Sequence, residues 1–310
     1  MMGLWLQDGV LELRTDLERP RPDAGEALVR VRQAGICNTD LELLRGYYPF
    51  RGILGHEFVG IVERAPEGHG HLEGRRVVGE INAVCGECAA CAAGRSNHCD
   101  NRTVLGIVDR DGAFAEYLTL PARNLHPVPD GLPDDAAVFT EPLAAALRIR
   151  EQITLRDDDR VLVVGDGKLG QLIARALAPA GVNLCVVGRH RHKLAMLESL
   201  GVETLRVTPA GDVEPQPRPR FDLAVECTGN ADGFALARAS LRPGGTLIMK
   251  STYADRLTFD ASAIVVDEIT LLGSRCGPFA PALELLAGGD ISVDELIDDR
   301  YPLSAGIAAF

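Results

Sequence analysis

The 310-residue chain reads as an α/β protein of two domains, one mostly β and of barrel type, the other a doubly wound parallel sheet covered by helices. Three observations predict this. The first 130 residues are short extended runs broken by glycine and proline, such as EALVRVRQAG, HEFVGIVER and GRRVVGEINAV, and close-set runs with turn punctuation belong to mostly β folds. From about residue 147 the texture changes to an apolar strand, a glycine turn, a helical stretch and a second apolar strand, in RVLVVGDGKLGQLIARALAPAGVNLCVVG. FDLAVECTGN, the helical ADGFALARASL and PGGTLIMKS continue that alternation, the pattern of a parallel sheet with covering helices. GDVEPQPRPR, rich in proline and charge, is expected as a surface loop. The domains are placed at 1–146 with 276–310, and at 147–275.

Gly165, Gly167 and Gly170 form G-x-G-x-x-G directly after the strand Val161 to Val164 and at the start of a helix. Glycines there make the tight turn, admit a pyrophosphate close to the backbone and allow tight helix-to-strand packing, while the helix N-terminus faces the phosphate charge. The strand before the motif and the βαβ unit around it make this a Rossmann dinucleotide site, with Lys168 and Leu169 inside it. The second strand, Leu184 to Val187, ends in Gly188 and continues RHRHK. No acid stands there for the ribose hydroxyls, and Arg189 suits a 2′-phosphate, so NADP is expected over NAD.

CGECAACAAGRSNHC places Cys85, Cys88, Cys91 and Cys99 at spacings of two, two and seven residues. Four such thiolates can wrap a tetrahedral zinc with no open position, which makes the site structural. An iron-sulfur cluster uses similar ligands, but the bacterial run spaces its last cysteine by three and follows it with proline, whereas here Asp100 follows. Cys185, Cys227 and Cys276 sit in or beside apolar stretches and are read as small packed side chains.

The charge balance, 32 Lys and Arg against 44 Asp and Glu for a net −12, argues against nucleic-acid binding and for a small-molecule partner. No basic segment followed by a long apolar core opens the chain, and no run of about 18 apolar residues follows, so neither secretion nor a membrane span is expected. Eight cysteines without such a signal point to a reducing cytoplasm.

One charge is out of place. In VFTEPLAAAL, residues 138 to 147, Glu141 is the only charged residue, and an unpartnered carboxylate in a core would cost several kcal/mol. GICNTD at 35–40 and GHEFVG at 55–60 bring Cys37 and His56, each close to a carboxylate. Separately these are ordinary residues. Together with the four-cysteine lobe, the glycine turn and the closing YPLSAGIAAF, they resemble the zinc-dependent alcohol dehydrogenases of the medium-chain dehydrogenase/reductase superfamily, over nearly the whole chain.

The resemblance implies a GroES-like catalytic domain joined to the Rossmann domain, a catalytic zinc beside the structural one, and a homodimer or homotetramer. It matches Cys37 and His56 to two ligands of that zinc, Asp40 to the residue that orients the histidine, and Thr39 to the hydroxyl that takes the alcohol proton. Glu141-Pro142-Leu143 looks like the motif that supplies the third ligand in the sorbitol- and glucose-dehydrogenase-like branch, and Glu57 is similar to a residue behind the metal. Such a carboxylate has a cation as partner, although an acid early in a helix and followed by proline is also favoured by the helix dipole. The implied activity is hydride transfer between an alcohol or polyol, or the matching carbonyl, and NAD(P). A zinc-free quinone or enone reductase and a non-catalytic nucleotide- and zinc-binding protein are the alternatives. The sequence departs from the family after Asp40, where Leu41, Glu42 and Leu43 stand in place of a proton-relaying histidine, and Glu42 is expected on a solvated helix face. Relatives usually continue past the position of Phe310.

Overall fold

The computed structural model describes residues 1–208, 213–214, 221–253 and 256–310, in two compact units: Met1–Glu141 with Phe279–Phe310, and Pro142–Pro278.

In the first unit, β1 (Gly3–Gln7) turns into β2 (Val10–Arg14) through Asp8 and Gly9, at φ 53° and 76°. An Asp-Gly pair with both residues left-handed matches the right-handed twist of the flanking strands. There follow β3 (Glu26–Gly35), α1 (Asn38–Leu44), β4 (Gly52–Ile53), β5 (Glu57–Arg64), β6 (Arg76–Gly79) and β7 (Asn82–Ala83). Next come α2 (Ala89–Ala92), β8 (Thr103–Val104), β9 (Tyr117–Pro121), β10 (Leu125–Pro127) and α3 (Asp134–Ala137). Among the described residues the ladders do not form one continuous ring. A five-stranded antiparallel sheet runs β10-β6-β5-β3-β9, a three-stranded one β2-β1-β4, and β7 pairs with β8. Strands of two residues cannot carry a ladder around a barrel, and Gly3 of β1 bridges instead to Ala115, two residues before β9. The core joins Leu4, Leu6, Leu43, Phe50, Ile53, Leu54 and Phe114, with Phe310 edge-on to Phe114 at 5.6 Å.

Asp134 opens α3 between Arg32 and Arg76, and Arg76 also donates to the carbonyls of Leu132 and Pro129. Partial burial works against the Asp134 charge, but the two guanidiniums outweigh it and hold the carboxyl below its ordinary range. A folded-state value below the unfolded one stabilises the protein above the unfolded pKa, and the gain is lost as pH falls through the folded value. Asp134→Asn should therefore cost about 1 kcal/mol at neutral pH, a difference that fades below about pH 4. Urea unfolding of the two proteins across pH 3–7 checks this; a pH-independent gap contradicts it.

α4 (Thr140–Gln152) runs from the first unit into the second, and the buried Thr140 hydroxyl donates to the Ala137 carbonyl at 2.7 Å. The second unit continues with β11 (Arg160–Val164), α5 (Lys168–Leu177), β12 (Asn183–Gly188), α6 (Arg191–Glu198), β13 (Glu203–Val207) and β14 (Val213–Glu214). It ends with β15 (Phe221–Glu226), α7 (Ala231–Ser240), β16 (Leu241–Met249), α8 (Ala261–Val266) and β17 (Thr270–Gly273). One sheet holds all seven strands in the order β14-β13-β12-β11-β15-β16-β17, parallel except for β14 at its edge. Val161 to Val164 are buried because β11 is covered on both faces, which is why they read as an unbroken apolar run. The chain leaves β11 for strands on one side and returns at β15 on the other, so the sheet has its switch point between these two, where such sheets bind ligands beyond the strand ends. Of GDVEPQPRPR, Val213–Glu214 form β14 and the remainder lies outside the described residues. α9 (Phe279–Gly288) belongs again to the first unit.

No helix among the described residues is long and apolar enough to cross a membrane.

Candidate active site and metal centres

Antiparallel pairing places Gly35, the last residue of β3, opposite Glu57, the first of β5. The residues just beyond that end of the pair, Cys37 and His56, are thereby brought together. A sulfur of Cys37, a ring nitrogen of His56 and a carboxylate oxygen of Glu57 lie within 4.8 Å of one another, with His56 and Glu57 buried. Gly35 is part of the design: a β-carbon there would strike the Glu57 carboxylate.

Cys37 caps α1, and its N–H donates to Oδ2 of Asp40 at 2.9 Å. The other oxygen of Asp40, fully buried, lies 3.3 Å from Nδ1 of His56. Neither atom has a well-aligned hydrogen bond, so the pair is a buried contact held in place by the α1 cap. Burial opposes a charge on His56, but Asp40 and then Cys37 outweigh it and raise the imidazole well above its ordinary pKa. With Nδ1 directed at Asp40, Nε2 is the nitrogen left for a cation, the arrangement in which an outer carboxylate fixes a ligand's tautomer. A soft sulfur, an imidazole and a carboxylate are a donor set suited to zinc. Thr39 lies on the first turn of α1, its hydroxyl 3.7 Å from the Cys37 sulfur.

Glu141 is the second residue of α4, half-buried in the first turn, where the helix dipole favours an acid. It is not a member of the mutual group formed by Cys37, His56 and Glu57. Glu42 does not lie on a solvated face: it is buried, and its carboxylate takes a 2.7 Å ion pair from the exposed Arg45. α1 turns this residue inward beside Leu43, which packs in the core.

Cys85, Cys88, Cys91 and Cys99 form the second group within 4.8 Å. The Cys85 and Cys99 sulfurs stand 3.5 Å apart, too far for a disulfide and close to the edge of about 3.8 Å that four 2.3 Å bonds to one tetrahedral zinc require. Backbone N–H groups of Glu87 and Cys88 lower the Cys85 thiol to about 6, and those of Cys91 and Asp100 lower Cys88. Desolvation and the neighbouring thiols push Cys91 up to about 12.

In the second unit the glycines behave as the motif requires. Gly165 has φ 128° and abuts Cys227, whose sulfur is 3.2 Å from the Val164 carbonyl; a β-carbon on Gly170 would strike the Gly165 carbonyl. Gly167, at the cap of α5, has nothing within 4 Å of where a β-carbon would be, the open approach a pyrophosphate needs. Lys168 and Leu169 are half-buried in the first turn of α5, and Arg189 is exposed just past β12. Cys185 is in the core as expected, while Cys227 and Cys276 are half-buried.

Two acids here have little or no signal in the sequence. Asp166, within the glycine turn, buries its carboxylate over Gly188 at the end of β12. Glu226, fully buried at the end of β15, accepts from the backbone N–H of Thr228 and Gly229, the Thr228 hydroxyl and the Tyr253 hydroxyl. Burial and this carboxylate raise the Tyr253 pKa, keeping the phenol protonated. The only hint of Glu226 was a charge at the end of an apolar strand.

Comparison with known proteins places the chain in a family. Residues 23–130 match the alcohol dehydrogenase GroES-like domain and residues 169–288 the zinc-binding dehydrogenase domain. L-Galactonate-5-dehydrogenase of Escherichia coli K12 is 32% identical over 93% of this chain and 87% of its own. A sorbitol dehydrogenase of Halalkalibacterium halodurans is 29% identical, over 93% and 88%. A solved Sinorhizobium meliloti 1021 protein bound to NADP superimposes with a TM-score of 0.88 at 29% identity, covering 99% of this chain and 94% of that one. With both domain families matched in order and relatives aligned over most of their length, the chain belongs to the zinc-binding dehydrogenases of the alcohol dehydrogenase family.

Proposed function

We propose that this zinc-dependent oxidoreductase transfers a hydride between a polyol-like secondary alcohol, or its ketone, and NADP, at a catalytic zinc held by Cys37, His56 and Glu57. The observation that carries the reading is the mutual approach of those three donors, with Asp40 behind His56, in a chain of this family. That approach supports Glu57 in the ligand place that the resemblance gave to Glu141, and leaves Glu141 as an acid at the start of α4. The substrate class rests on the names of the galactonate and sorbitol relatives and on the Glu-Pro-Leu motif. The preference for NADP rests on Arg189 and the basic residues after it.

Zinc, when bound, supplies a Lewis acid that makes an alcohol easier to deprotonate or a carbonyl easier to reduce. Thr39, half-buried on α1, accepts the alcohol proton at its hydroxyl oxygen and gives its own hydroxyl proton to water. Asp40 holds the His56 ring in one tautomer and one orientation, and Gly35 leaves room for the Glu57 carboxylate. The glycine turn and the α5 N-terminus take the pyrophosphate, and the hydride itself is the nicotinamide's chemistry.

Metal analysis with a panel of alcohols, polyols and ketones, each with NAD(H) and NADP(H), tests the proposal. We expect two zinc ions per chain in the wild type, loss of about one in Glu57→Gln, and retention of both in Glu141→Gln. The reverse pattern assigns the third ligand to Glu141; activity without any zinc overturns the mechanism.

A further inference from the structure

The five residues after Gly188 are Arg189, His190, Arg191, His192 and Lys193, a run in which every side chain is basic or an imidazole. Two buried polar side chains from the glycine turn and its helix hold this run from beneath. Asp166, 6% exposed, accepts the His190 N–H at 2.6 Å through Oδ2, and its two oxygens lie 3.1 and 3.2 Å from the His190 Nδ1. Gln171, on α5 and 1% exposed, donates its amide to the Lys193 carbonyl at 2.8 Å. The turn is fastened to the same strand end by the Gly165 N–H, which donates to the Val187 carbonyl at 2.8 Å. Gly188 lacks a side chain where one would collide with Asp166, so strand end and carboxylate fit only in this combination.

A carboxylate near the end of this strand would ordinarily take the ribose hydroxyls and repel a 2′-phosphate. Asp166 differs in that both of its oxygens are already engaged by His190 and it is buried, whereas Arg189 and Arg191 are exposed. We propose that Asp166 and Gln171 form a latch that fixes the 189–193 segment as a preorganised acceptor for the 2′-phosphate of a dinucleotide, Asp166 serving as a positioning residue and not as a ribose ligand. This rests on the NADP reading above. The latch lowers the entropy cost of bringing mobile arginines to a phosphate, which is how preorganisation raises affinity without adding a contact.

The test is calorimetric titration of the full-length, zinc-loaded protein with 2′,5′-ADP and with 5′-AMP, which differ only by the 2′-phosphate. The wild type should bind 2′,5′-ADP more tightly. Asp166→Ala and Gln171→Ala should each lower the ratio of the two affinities by about tenfold through loss of 2′,5′-ADP binding, about what is lost when an arginine–phosphate contact is no longer held in place beforehand. Asp166→Asn, which still accepts the His190 N–H, should restore most of the ratio. A rise in 2′,5′-ADP affinity in Asp166→Ala would make Asp166 a ribose acid and overturn the latch. So would an equal loss of both ligands, which a merely structural role produces, or an unchanged ratio. Wild-type protein that binds 5′-AMP as tightly as 2′,5′-ADP refutes the NADP reading first and the latch with it. If Asp166→Ala fails to fold, Gln171→Ala alone decides.

Discussion

Cys37→Ser is expected to lower kcat/KM by about 10³-fold or more and to leave one zinc per chain. The magnitude follows from what the side chain does. Loss of an outer partner that merely orients a ligand costs about 10–100-fold in metal affinity or activity, and Asp40→Asn should fall in that range. Cys37 is itself one of three donors, and it also caps α1, the helix that carries Thr39 and Asp40. A serine keeps the backbone N–H that Asp40 accepts and is itself a favoured cap residue, but its oxygen binds zinc far less well than a thiolate. The substitution therefore separates the two roles: far-ultraviolet circular dichroism and the unfolding midpoint should stay near those of the wild type while activity is lost. His56→Ala should match it in rate. Near wild-type turnover in either variant would remove the catalytic-zinc mechanism, and loss of both zinc ions would mean that the fold had failed instead.

The parts of this arrangement that were legible in the sequence are those set by local pattern. Val161 to Val164 form an apolar run because β11 is covered on both sides, and Gly165 and Gly170 stand where no β-carbon fits. The four cysteines announce their site by spacing alone. What local pattern does not give is the partners of the carboxylates, and for a common reason. The approach of Glu57 to Cys37 depends on strand register, which sets Gly35 opposite Glu57; a shift of one residue would turn Glu57 to the other face of the sheet. Asp166 occupies the variable position of G-x-G, where the motif carries no information, and only the path of β12 shows that its carboxylate reaches His190. A solvated face is the ordinary place for an acid on a short helix, yet the fold turns Glu42 inward beside Leu43 and gives it Arg45.

The largest expected structural effect belongs to the four-cysteine lobe. From Val84 to His98 no side chain is buried, and the only regular structure is the four-residue α2 and one turn at Ser96–His98; Cys99 alone is in the core. Such a segment cannot recover its chain entropy, about 1–2 kcal/mol per ordered residue, from apolar burial. Binding of a structural zinc, worth about 10–16 kcal/mol in small zinc-folded peptides, can supply the difference. Cys88→Ser should therefore release one zinc per chain and unfold the lobe locally. Hydrogen exchange should rise at the amides of 86–98, and the β3–β5 ladder should keep its protection, because Cys37, His56 and Glu57 are set by that ladder and not by the lobe. The remaining zinc should still support measurable turnover. Unchanged zinc content and unchanged exchange at 86–98 would show that the lobe holds itself together without a metal. Loss of protection across β3–β5 as well would show that the two metal centres fold as one unit.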